Sequence, residues 1–111
     1  MATQQEVGDL IYATALQWVP MVGGIAQVQR EGVSVVMIGQ PPRGLRGIHD
    51  PATVVLASVE LQSVRVIIVG GRPGIPQGQE LFSVATEGKN SQDVANEIVT
   101  GVSNYLAQTT S

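Results

Sequence analysis

The sequence predicts an α+β domain, with an N-terminal helix, a mainly antiparallel sheet of four to five strands and a C-terminal helix in the order α-β-β-β-β-β-α. Three observations point there. Apolar residues recur at helical spacing near both ends, Val-rich segments alternate in polarity between them, and one stretch occurs twice. Residues 20–47 and 51–78 align at a constant offset of 31 positions. Identities fall at Pro20/Pro51, Ala26/Ala57, Val28/Val59, Val33/Val64, Val35/Val66, Gly39/Gly70, Pro42/Pro73 and Gly47/Gly78. Alternating valines match easily by chance, so the weight rests on the Gly and Pro matches beyond the strands. The sheet is therefore expected to be built on a duplicated β-hairpin.

At the N-terminus, Thr3-Gln4-Gln5-Glu6 fits a capping box, in which the Thr3 hydroxyl and the Glu6 carboxylate satisfy each other's exposed backbone donors. Val7, Leu10, Ile11, Thr14 and Trp18 then share one helical face, and Pro20 with Gly23-Gly24 closes the helix. Trp18 belongs to that face, which favours the core over an interface anchor.

Gly24 to Arg30 and Val33 to Gly39 read as a hairpin around Glu31-Gly32. Val54 to Leu61 and Val64 to Gly70 read as its copy around Gln62-Ser63. Residue 28 would then pair with 35, and 59 with 66. One face carries Ala26, Val28, Val33, Val35, Met37, Ala57, Val59, Leu61, Val64, Val66 and Ile68, and is expected under the helices. The other is polar near the turns, with Gln27, Gln29, Ser34, Ser58, Glu60 and Arg65. Farther along it becomes apolar, with Ile25, Val36, Ile38, Leu56, Ile67 and Val69. Asp50-Pro51 also suits a helix start, with Asp50 as cap and Val54 to Leu61 in the body. That would give α-β-β-α-β-β-α. The β-branched Thr53, Val54, Val55 and Val59 favour strand.

Glu80 to Ala85 alternates as a fifth strand, and Gly88-Lys89-Asn90 turns the chain. Ser91 is expected to cap the second helix, with Asp93 in its first turn. Val94, Ile98, Val102, Tyr105 and Leu106 form its buried stripe, beside Ala95 and Val99. Gly101 in mid-helix costs about 1 kcal/mol relative to Ala, which hints at close packing there or at nothing. The tail from Gln108 to Ser111 is expected to be loose.

A chain of 111 residues fits a single domain, 1–111, with one core. That core must be aliphatic, because only 4% of the residues are aromatic. The sequence has no cysteine, so it has no disulfide, thiolate metal site or cysteine nucleophile. One histidine leaves no zinc cluster, and neither a metal nor a cofactor is expected. The net charge is −3, and it is unevenly placed. The acidic ends carry Glu6, Asp9, Glu80, Glu87, Asp93 and Glu97, while the middle carries Arg30, Arg43, Arg46, Arg65 and Arg72. That is too little clustered positive charge for nucleic acid. The acidic opening does not resemble a signal peptide, and the apolar run from Leu10 to Ala26, broken by Gln17 and Pro20, is short for a membrane span. A cytoplasmic protein, or a component of a virion, is expected.

No residue set reaches a catalytic signature. His49-Asp50 is the one histidine–carboxylate neighbour pair, but adjacent side chains point apart. Gly70-Gly71-Arg72-Pro73-Gly74 lacks the G-x-G-x-x-G spacing of a nucleotide-binding turn. The two Gly-Pro loops following the hairpins are better candidates. Their Arg43, Arg46 and Arg72 can grip carboxylates or phosphates, although arginine in such loops commonly serves solubility alone. Two helices cover one face of a small sheet, so the apolar half of the other face calls for a partner.

The layout resembles that of profilin-like and Roadblock-like modules and of small ring-forming virion proteins such as tail terminators. Layout alone does not assign function. The leading expectation is a non-catalytic structural or adaptor subunit that forms a homo-oligomer, with other protein subunits as further partners, through Ile38, Val69, Arg43, Arg46 and Arg72. The competing one is a small ligand-binding or regulatory domain using the paired loops.

Overall fold

The structure is a computed structural model that describes residues 3–19, 25–39, 53–71 and 77–110. Its elements are α1 (Gln4–Trp18), β1 (Ile25–Glu31), β2 (Ser34–Gly39), β3 (Val54–Val59), β4 (Ser63–Gly70), β5 (Glu80–Ala85) and α2 (Ser91–Thr110). The strands form one antiparallel meander in sequence order. The α-β-β-β-β-β-α order is the one expected, and residues 54–59 are strand rather than helix.

Helix α1 begins where Thr3 Oγ accepts the Glu6 amide at 3.1 Å. The return half of the capping box is not made. Instead, the Glu6 carboxylate accepts from Ser91 Oγ at 2.7 Å, tying the start of α1 to the start of α2. Ser91 is therefore not the cap of α2; Asn90 Oδ1 takes the Asp93 amide at 2.8 Å. At its far end α1 stops at Trp18, before Pro20, which with Gly23 and Gly24 lies outside the described residues. Helix α2 continues through Thr110, so residues 108–110 are helical rather than a loose tail.

Both hairpins form, each with a register two positions from the expected one. Val28 pairs with Met37 and Val59 with Val64. In the first, Gly32 has φ +60 and occupies the first loop position with Val33 second. That matches a type II′ turn, where glycine takes the positive φ. In the second, the Glu60 amide bonds the Ser63 carbonyl at 2.8 Å around Leu61-Gln62. The loops moved in opposite directions along the chain. Pairings in the two hairpins are thus not equivalent at the repeat offset, and Val28 and Val59 do not occupy matching places.

Side chains alternate across a strand with a period of two, so a shift of two keeps each residue on its expected face. Val35, Met37, Val55, Ala57, Val64, Val66 and Ile68 are all buried under the helices, together with Val7, Ile11, Val94, Ile98, Val102 and Leu106. Leu10, Trp18, Val28, Val33, Phe82 and Tyr105 pack half-buried around this core. Two residues depart from the expectation. Leu61 falls in the turn and is 80% exposed. Ile25 is fully buried, because a bulge between Ile25 and Gln27 turns it from the open face to the covered one.

Helix α1 lies over β1, β2 and β3 and packs against α2. Helix α2 crosses from β5 to the end of β2, where Leu106 covers Gly39. Two close approaches fix this layer. A Cβ at Gly8 would overlap the Val33 carbonyl, and one at Gly101 would lie 2.6 Å from the Phe82 ring. Of the two readings of the mid-helix glycine, close packing or nothing, the Phe82 contact bears out the first. Arg30 braces the first hairpin against α1, donating through Nε to the Gly32 carbonyl at 2.8 Å and through Nη1 to Asp9 at 2.7 Å.

Candidate functional site

The face turned away from the helices is organised in rows that cross the strands. Nearest the hairpin turns, Glu31 pairs with Ser34, and Ser58 and Ser83 flank Arg65. The Arg65 guanidinium donates to Glu60 at 3.1 Å and to Glu80 at 3.0 Å, linking β4 to β5 and to the turn that follows β3. All three side chains are more than 40% exposed. Pairs so exposed contribute little to stability, and one arginine against two glutamates leaves the trio with a net negative charge.

The next row is Gln29, Val36, Leu56, Ile67 and Glu80; beyond it come Gln27, Ile38, Val54 and Gly70. Val69 is the extra residue of a bulge between the Val54 and Val55 pairings, which leaves it 45% exposed. Val36, Ile38, Val54, Leu56 and Ile67 are half-buried. The result is an apolar patch on β2, β3 and β4, bounded by glutamines on β1 and by Glu80 on β5. Of the candidate contact residues, Ile38 and Val69 are brought to this patch. Arg43, Arg46 and Arg72, like His49 and Asp50, lie outside the described residues.

Two hollows lie elsewhere. A cleft of about 860 Å³ opens where Leu61, Gln62, Lys89 and Ser91 meet, at the sheet end opposite Gly39 and Gly70. Lys89 there is paired with Glu97 at 3.0 Å, and the Ser91 hydroxyl is held by Glu6. A trough of about 460 Å³ runs between β5 and α2, lined by Phe82, Val84, Asn96, Glu97, Thr100 and Gly101. Sequence reasoning missed this trough. Gly101 was its one visible sign, since a helix keeps a glycine where a side chain from another element crosses it.

The chain matches no family model, no curated protein and no solved structure. Among the described residues, no helix is long and apolar enough to cross a membrane.

Proposed function

We propose that the protein is a non-catalytic structural or adaptor subunit that assembles with copies of itself. The observation that carries this reading is the apolar patch of Val36, Ile38, Val54, Leu56, Ile67 and Val69 on the sheet face opposite both helices. A contiguous apolar patch with a polar rim is typical of a protein-binding surface. Arg43, Arg46 and Arg72 belong to the same proposal as contacts to acidic groups of a neighbour. Glu80 and Glu97 already hold Arg65 and Lys89, so a neighbour's arginine has to compete for them, and its contribution falls with added salt.

Sedimentation of the parent and of Ile38→Glu tests the reading. Buried in a subunit contact, the new carboxylate loses its water without gaining a partner, at a cost of several kcal/mol. The variant is expected to stay folded and sediment at a smaller mass than the parent. A parent already monomeric at micromolar concentration, with Ile38→Glu unchanged, ends this reading and leaves a ligand-binding module as the better one.

A further inference from the structure

The open face of the sheet changes character along its strands. Its described charged side chains, Glu31, Glu60, Arg65 and Glu80, all lie in the row of Gln29, Leu56 and Glu80 or nearer the hairpin turns. Three glutamates against one arginine make that end acidic. The last row, Gln27, Ile38, Val54 and Gly70, carries no charge. Arg43, Arg46 and Arg72, outside the described residues, belong to connections whose described ends, Gly39, Thr53, Gly71 and Gln77, all lie at this uncharged end. An acidic end and arginine-bearing connections thus frame the apolar patch.

Two sheets packed face to face keep their strands within about 30° of a common line, and a two-fold axis lying between them admits two arrangements. With strands running the same way, β1 of one copy lies over β5 of the other. Glu60, at the end of the central strand β3, then meets its own copy. Glu31 comes within one row of Glu80 of the second copy, so acidic end faces acidic end, which opposes association. With strands reversed, each strand lies over its own copy and the acidic ends separate.

We infer that a second copy of this chain covers the open face with its strands reversed, about a two-fold axis that crosses the strands between the Leu56 and Val54 rows. The inference rests on the reading of the protein as a self-assembling subunit. This placement exchanges the two rows. Val36 lies over Ile38 of the second copy, Leu56 over its Val54 and Ile67 over its Val69, apolar against apolar. On the rim, Gln29 lies over Gln27 of the second copy, amide against amide. Each acidic end reaches past the patch toward the arginine-bearing end of the other copy. The surface is complementary to itself, as a two-fold contact requires, and no other protein has to supply the opposite charge.

The absence of cysteine makes the orientation measurable. Packed sheets lie about 10 Å apart, whereas the two edges of a five-stranded sheet are about 19 Å apart. A short bis-maleimide therefore bridges opposed residues but not residues on opposite edges. Size-tagged Gln29→Cys mixed with untagged Gln27→Cys is expected to give the mixed crosslinked product. Mixed instead with untagged Glu80→Cys, it is expected to give none, because β1 and β5 meet only when the strands run the same way. Glu60→Gln is expected not to strengthen assembly in sedimentation, since Glu60 faces no carboxylate of the second copy. Equal yields of the two mixed products mark random collision and overturn the inference. So does a product with Glu80→Cys alone, or assembly strengthened by Glu60→Gln. If Ile38→Glu lowers the mass while neither mixture links, the reversed arrangement fails and the self-assembling reading stands. A monomeric parent with no crosslink overturns both.

Discussion

The two faces of the sheet are made from the same side chains and meet opposite fates. Val35 and Val66 are fully buried beneath the helices, while Val36 and Ile67, one residue along each strand, remain half-exposed on the other side. What separates them is what lies above. On the covered face, α1 and α2 supply matching apolar surface; on the open face, no described element does. Residue type therefore does not distinguish core from contact in this chain, and position along the strand does.

Substitutions can break that comparison or sharpen it. The largest effect is expected from Val66→Glu, which puts a carboxylate into a site with 0% exposure at a cost of several kcal/mol. It should abolish the folded circular dichroism signal, whereas Ile38→Glu should preserve it. Two folded variants would mean that the covered face has been assigned wrongly. Next is Val66→Ala, expected to cost about 1–3 kcal/mol in denaturant unfolding through lost burial and a cavity. Val36→Ala should cost clearly less when measured on dilute protein. Equal losses would erase the distinction between the faces. Gly8→Ala should cost about 1–2 kcal/mol net. Alanine favours the helix by about 1 kcal/mol, but its methyl would overlap the Val33 carbonyl, which is backbone and cannot swing aside. A gain in stability would show that α1 lifts freely from the first hairpin. The smallest effect is a gain. Ser103 is buried with its hydroxyl unpartnered among the described residues, so Ser103→Ala should raise stability by about 1 kcal/mol. A higher denaturation midpoint at unchanged slope would register it.

Period and punctuation made most of the fold legible in the sequence. Helical spacing marked α1 and α2, alternation marked five strands, and β-branched residues separated strand from helix at Val54–Val59. The hairpin registers were harder, because they depend on which residue takes the first loop position. Gly32 takes it because a two-residue turn needs a positive φ there. Nothing comparable stands in the second hairpin, where Leu61 gives up a place on the covered face to sit in solvent. Ile25 was misplaced because one bulged residue inverts the alternation, and no residue type announces a bulge. On the candidate surface, Ile38 and Val69 could be found because alternation places them. The trough beneath Phe82 needed the crossing of α2 over β5, which only three-dimensional packing reveals.

The bond between Glu6 and Ser91 spans 85 positions in the chain, while every strand pairs with its neighbour in sequence. The meander's contacts therefore join neighbouring segments, whereas the layer that covers it joins the two ends of the chain. Its apolar underside is closed by a helix that ends 25 residues after Ala85, at Thr110. A chain cut before Ser91 keeps all five strands yet leaves that underside bare on the α2 side, so it is expected to aggregate rather than to fold.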